Sequence, residues 1–363
     1  MKMLIMAEVK GGEMYAAARE NARRIGNFDI VEGQWYEPEM GNLTSTIRRL
    51  EVEGPNHMPV PRDFVSNPDT EILVGSFCPF SGAGMDAIPS LKLIGVIRAG
   101  LENIDVEAAT KRGILVVNAT GRNANAVSDF TIGLMLAEAR NIARSHYAIM
   151  TGGYREAFPN RAFTPDMYGK TVGLFGFGYI GKLVAEKLSG FKMRVLAHDP
   201  YVRQEDVDQY GVTLVDKETL FKEADFLSIN ARLTDETYHI VGAKEIGLMK
   251  KTAVFINTAR SGLVDYDALA EALIERRIAG AGLDVFDDEP IPQDSPYLKM
   301  DNVTLTAHLA GSTLDATLRS PELLIERVAN AIKGESMDGV VNREVMVSPA
   351  FKEWLEKARK YVK

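Results

Sequence analysis

The stretch Thr171-Val-Gly-Leu-Phe-Gly-Phe-Gly-Tyr-Ile-Gly181 constrains this chain more than any other. An apolar run, three glycines and a helical pattern over 182–188 follow one another without a gap. They spell a buried strand, a turn built on Gly176, Gly178 and Gly181, and a helix whose N-terminus faces a phosphate. A second apolar run, 193–198, ends at Asp199. That acidic residue lies about 20 residues from the glycines, the spacing that lets a carboxylate grip a ribose diol. The unit therefore reads as a dinucleotide site. A carboxylate at that point accepts from a free 2′-hydroxyl and repels a 2′-phosphate, and the nearest cation, Arg203, is four residues on. NAD is accordingly expected as cofactor, with NADP disfavoured. Because 170 residues precede the motif, another structure must come before it.

The flanking sequence supplies that structure. Apolar runs at 3–7, 71–75, 91–97 and 114–117 predict strands, and 14–24, 43–51 and 106–112 predict helices. The proline-bearing segment 53–67 reads as a surface loop. A single long helix is predicted over 123–150, where apolar residues recur at helical spacing. Beyond it, six strands are predicted at 173–177, 195–198, 226–230, 254–257, 280–284 and 303–306, with helices between them. The tail is helical again over 321–332 and 351–362 and is expected to return to the first domain. Alternation of this kind implies α/β architecture with parallel sheets covered on both faces.

Length, 363 residues, fits two or three domains. A net charge of −8 argues against nucleic acid as a partner. Cys78 is the only cysteine, which excludes a disulfide framework and a cysteine-based metal site, and no metal is expected. The apolar run at the N-terminus is too short for a signal peptide, and no run reaches membrane-spanning length. The expectation is a cytoplasmic protein with no membrane partner.

Three further segments end strands on the same edge of the second sheet: 256–265, 282–290 and 305–311. Ligands gather beyond the carboxyl ends of parallel strands, so Arg260, Glu289 and His308 should lie near the nicotinamide. They form one chemical set. A guanidinium can fork onto a substrate carboxylate. An imidazole can carry the proton that accompanies hydride transfer, and a neighbouring carboxylate holds the ring and stabilises the imidazolium. The other histidines, His57, His146, His198 and His239, have no such context and read as structural.

The glycine turn, Asp199, Asn257-Thr-Ala-Arg-Ser-Gly-Leu-Val-Asp265, Gly282-Leu-Asp-Val-Phe-Asp-Asp-Glu-Pro290 and the histidine segment stand in the order found in the D-isomer-specific 2-hydroxyacid dehydrogenases. The chain resembles the D-3-phosphoglycerate dehydrogenase branch of that family. Arg98-Ala-Gly-Leu-Glu-Asn-Ile-Asp105 and the segment 116–127 are similar to the family's substrate loop and hinge. The resemblance implies a flavodoxin-like substrate domain (1–121 plus 316–363) with an inserted Rossmann NAD-binding domain (122–315), both doubly wound. It makes Arg260 the substrate-orienting arginine, His308 the acid/base and Glu289 its partner. Asp284 would accept from the nicotinamide carboxamide, and Tyr179 and Ile180 would offer backbone amides to the pyrophosphate. Ala231, Thr258 and Ala259 would line the cofactor. The backbone of Arg98, Ala99 and Gly100 would meet the substrate carboxylate, with Arg98 and Arg122 adding positive charge. A homodimer acting on a small 2-hydroxy or 2-oxo acid, phosphorylated or sugar-derived, is implied.

Departures from the family pattern are local. Asn230-Ala-Arg-Leu-Thr234 stands for His-x-Pro-Leu-Thr, Thr306-Ala-His308 for Thr-Pro-His, and Val127-Ser-Asp129 for Val-Ala-Glu. The chain stops too soon for the appended regulatory domain of some phosphoglycerate dehydrogenases, so serine feedback is not expected. Two other functions share the scaffold: an NAD(H)-sensing corepressor and a phosphonate dehydrogenase. Formate enzymes pair their histidine with glutamine, and Glu289 argues against that chemistry.

Overall fold

In the computed structural model, which describes residues 1–155 and 157–363, buried residues alternate between the two faces of each sheet. The chain divides into two compact units, one of Met1–Arg122 with Thr313–Lys363 and one of Asn123–Ser312.

Unit 1 holds five strands: β1 (Lys2–Ala7), β2 (Asp29–Gln34), β3 (Ile72–Gly75), β4 (Leu93–Val96) and β5 (Leu115–Asn118). All pair in parallel, in the order β2-β1-β3-β4-β5, the flavodoxin-like arrangement. Along β1, Met3, Ile5 and Ala7 join one core while Leu4 and Met6 join the other. The period of two puts successive side chains on opposite faces. The first core is closed by helices Glu13–Ile25 and Leu314–Lys333, through Ala18, Ala22, Leu324 and Val328. The second takes Leu50 from helix Leu43–Glu53 and Phe64 from the short helix Arg62–Val65. The tail thus returns to the first unit, as the sequence predicts. Segment 53–67 is not a simple surface loop, because Pro55 and Phe64 are buried. Strand β2 is an addition to the sequence reading, which predicts four strands here.

Among the described residues, unit 2 has seven strands: β6 (Thr171–Phe175), β7 (Arg194–His198), β8 (Val212–Leu214), β9 (Phe226–Ile229), β10 (Val254–Asn257), β11 (Gly280–Leu283) and β12 (Val303–Leu305). Their order is β12-β11-β10-β9-β6-β7-β8, all parallel. This is the doubly wound dinucleotide topology, reversing direction between β6 and β9, with one strand added at an edge. Seven strands replace the six predicted. The single helix predicted over 123–150 is two, Ala124–Ala139 and Ile142–Met150. Asn141 breaks it in the left-handed region (φ 56°), which asparagine tolerates better than most residues, and its amide is held by Asn160 at 2.8 Å.

Candidate active site

The three glycines of unit 2 differ in what they must do. Gly176 turns the chain out of β6 at φ 100°, and a Cβ there would meet the Asn230–Ala231 backbone at 2.6 Å. Gly181 lies so close to the Gly176 carbonyl that a Cβ would meet its oxygen at 2.6 Å, which fixes the helix against the turn. Gly178 opens on space, with nothing within 4 Å of a Cβ, and as N-cap of helix Tyr179–Leu188 it brings no side-chain oxygen to the first turn. An open approach to an uncapped helix N-terminus fits a pyrophosphate. Asp199, just beyond β7, accepts from the Phe177 N–H at 2.8 Å and the Tyr201 N–H at 2.9 Å. Its carboxylate is therefore tied to the glycine turn through the Phe177 N–H. Ala231 follows β9 beside Gly176. Thr258 is buried, its hydroxyl 2.8 Å from that of Thr131. The residues present fit a dinucleotide.

The remaining candidates lie past the carboxyl ends of β10, β11 and β12. His308 Nδ1 faces Glu289, at 3.0 Å from Oε2 and 3.2 Å from Oε1. Glu289 is itself anchored by the Phe286 N–H at 3.1 Å. His308 has a left-handed backbone (φ 54°), a costly state for a non-glycine residue that the surroundings must hold in place. Asp284 does that holding. Fully buried, it accepts from Thr306 Oγ1 at 2.6 Å, Leu309 N–H at 2.9 Å and Ala310 N–H at 2.9 Å, while its carbonyl takes the His308 N–H. Three donors thus occupy three of the about four acceptor positions of its carboxylate.

Arg260 is exposed, and its Nη1 donates to the Ala259 carbonyl at 2.8 Å. Its turn is shaped by Asn257, whose Nδ2 donates to the Arg260 carbonyl at 3.0 Å and whose Oδ1 accepts from the Ala259 N–H at 3.0 Å. Asn257 and Tyr266, whose hydroxyl donates to the Val285 carbonyl, bind the ends of β10 and β11 together. Burial pushes the Tyr266 hydroxyl well up, so it stays a neutral donor. The sequence reading assigned neither residue a role, although a buried polar side chain closing an apolar strand was the available signal.

A model of the D-isomer specific 2-hydroxyacid dehydrogenase family, NAD binding domain, matches residues 132–310. A glyoxylate reductase of Korarchaeum cryptofilum (strain OPF8) is 39% identical over 269 residues, covering 74% of this chain and 81% of that protein. The chain belongs to the D-isomer-specific 2-hydroxyacid dehydrogenases. It is an oxidoreductase of the class acting on CH–OH donors, with a nicotinamide cofactor. A D-3-phosphoglycerate dehydrogenase of Methanocaldococcus jannaschii is 43% identical over 254 residues, which cover 69% of this chain but 48% of that protein. Among solved structures, a glyoxylate reductase from Paecilomyes thermophila superposes with a TM-score of 0.72 at 26% identity, over 94% of this chain and 98% of that one. Among the described residues, no helix of this family member is long and apolar enough to cross a membrane.

In unit 1 the dehydrogenase places Arg98, Ala99 and Gly100 directly after β4. The Arg98 carbonyl accepts from the Ala119 N–H at 2.9 Å and the Ala99 carbonyl from Asn118 Nδ2 at 2.8 Å, so the loop is fixed at its back. Arg122 is half-buried, with Nη1 on Ser320 Oγ at 3.1 Å. Burial, and after it the Arg98 charge, hold its pKa below the usual arginine value. His198, read as structural, has Nδ1 3.0 Å from the Val215 carbonyl.

Proposed function

We propose that the protein interconverts a D-2-hydroxy acid and its 2-oxo acid, with NAD preferred to NADP. The observation that carries this reading is the His308–Glu289 pair at the carboxyl end of the dinucleotide sheet. Glu289 accepts a hydrogen bond from Nδ1–H, which leaves Nε2 as the atom that exchanges a proton with the substrate oxygen. Bound nicotinamide supplies or takes up the hydride. Neutral His308 removes the hydroxyl proton as the acid is oxidised, and the imidazolium returns it to the 2-oxo oxygen in reduction. Arg260 forks onto the carboxylate and fixes the reacting carbon. In unit 1 the backbone of Arg98, Ala99 and Gly100 is the candidate carboxylate-binding loop. Tyr179 and Ile180 offer amides to the pyrophosphate, Ala231, Thr258 and Ala259 line the cofactor, and Asp284 accepts from its carboxamide. Asp199 supports the preference for NAD, since a carboxylate at that point after β7 would accept from a free 2′-hydroxyl and repel a 2′-phosphate.

Residues 1–122 with 313–363 form the substrate-binding domain in this reading, and residues 123–312 the cofactor domain. Phosphorylated and sugar-derived acids are both candidates for unit 1, and the names of the relatives, glyoxylate reductase and D-3-phosphoglycerate dehydrogenase, divide between an unphosphorylated and a phosphorylated acid. A second copy of the chain covers helix Ile142–Met150, and the acidic surface and single buried cysteine support a cytoplasmic location. The test is a panel of glyoxylate, hydroxypyruvate, pyruvate, phosphohydroxypyruvate and longer sugar-derived 2-oxo acids, each with NADH and with NADPH. At least one acid should be reduced, faster with NADH. No oxidation of NADH across the panel would defeat the reading.

A further inference from the structure

Helix Leu43–Glu53 sits between β2 and β3 in sequence, yet Glu51 in its last turn meets Arg98, which follows the carboxyl end of β4. Leu50 anchors it in the core beneath. Just past its end, Asn56 donates to Asp105 Oδ2 at 2.7 Å and accepts from the Gly82 N–H at 3.2 Å, which latches the segment to the loops after β3 and β4. Glu51 is thereby carried to Arg98. Arg98 Nη2 donates to Glu51 Oε1 at 2.5 Å, and the guanidinium lies over the Phe77 ring with Cζ 3.9 Å from its centroid. The arginine side chain is 13% exposed and the glutamate 36%. The cation is stacked on one face by Phe77 and its charge is compensated on one edge by Glu51, while Nη1 is buried with no hydrogen-bond partner among the described residues.

The rest of the local charge follows the same pattern. A Cβ on Gly100 would collide with the Glu102 carboxylate, which therefore lies against the loop backbone. Arg98 and Arg122 bring two positive charges, and Glu51 and Glu102 bring two negative ones. A phosphoryl group carries about −1.5 to −2 charge near neutral pH and needs uncompensated cations. A substrate hydroxyl needs an acceptor, which a carboxylate supplies.

We propose that Glu51 is a specificity-determining residue: it withholds Arg98 from phosphoryl groups and selects unphosphorylated, hydroxyl-bearing 2-oxo acids. This rests on the reading of the enzyme as a 2-oxo acid reductase. The discriminating effect comes from an element placed against the site, and like charge opposes the wrong ligand while the hydroxyl gains a partner.

The test compares hydroxypyruvate with phosphohydroxypyruvate, which differ by the phosphoryl group alone, in the full-length wild type and in Glu51→Gln. Glutamine keeps a hydrogen-bonding oxygen for Arg98 and removes the charge, so folding should survive. Wild type should favour hydroxypyruvate by at least tenfold in kcat/KM, and Glu51→Gln should shrink that ratio at least tenfold. A wild-type preference for the phosphorylated acid, or a ratio unmoved by the substitution, overturns the proposal. Calorimetric titration with inorganic phosphate gives a readout that needs no turnover. Glu51→Gln should bind phosphate at least tenfold more tightly than wild type, and equal affinities overturn the proposal. If neither acid is reduced, the reductase reading fails, and the phosphate titration still decides the role of Glu51.

Discussion

At the scale of single residues, the catalytic proposal turns on one ring nitrogen. His308 is locked from three directions: its Nδ1 by Glu289, its N–H by the Asp284 carbonyl, and the next two N–H groups by the Asp284 carboxylate. The left-handed backbone aims the ring, and the buried carboxylate keeps it aimed. Replacing His308 with Asn leaves this scaffold intact and removes the proton carrier. The expected loss in kcat is about 10²–10⁴-fold, with NADH affinity, read by fluorescence titration, nearly unchanged. Turnover at the wild-type rate would remove His308 from the chemistry. The sequence showed the types and spacing of these residues because each motif encodes a backbone requirement. Gly176 is needed at φ 100°, and Gly181 is needed where a side chain would strike a carbonyl. It could not show that Asp284 spends three acceptor positions on the segment that follows β12, since those partners lie 22 to 26 residues away. Glu51 was hidden for the same reason, being 47 residues from Arg98.

At the scale of elements, what the sequence missed was short or at an edge. Strand β2 buries only Gly33, so it shows no apolar run, and β8 is three residues long. The break at Asn141 was invisible because apolar periodicity runs straight through it. What holds the break is a polar knot. Arg144 bridges Asn141 Oδ1 at 2.8 Å and Glu138 Oε2 at 2.5 Å, and Thr304 donates to the other Glu138 oxygen. Glu138 is 2% exposed, and burial outweighs Arg144 and Thr304 to push its carboxyl up to about 7. A folded-state value above the unfolded one makes the native protein bind the extra proton. That contribution to stability is full below the ordinary carboxyl range and is lost as pH rises through about 7. Glu138→Gln stays neutral throughout. Relative to wild type, its unfolding free energy in denaturant should therefore improve by up to about 3 kcal/mol between pH 5 and pH 8. A difference that stays flat across that range would show that Glu138 is ionised in the folded protein at low pH as well.

At the scale of the whole molecule, one helix is left without a role inside the protomer. Ile142–Met150 has no buried residue, although the helix before it is packed on the sheet. Ile142, Tyr147, Ile149 and Met150 are all more than half exposed. Isolated apolar side chains on a surface need no explanation, but several on one helix mark a contact surface. The Asn141 break is what turns this helix away from the continuous path predicted for it, so the polar knot and the exposed face belong to one arrangement. The dimer proposed above is tested at this helix, because a two-fold axis would let the same helix serve both sides of an isologous interface. Sedimentation equilibrium at micromolar concentration should then give a mass about twice the 40.0 kDa of the chain. The double substitution Ile149→Asp, Met150→Asp places two charges on that face while touching no buried side chain. It should yield monomers whose far-ultraviolet circular dichroism is that of wild type. A wild-type monomer, or a variant that still sediments as a dimer, would rule this helix out as the interface.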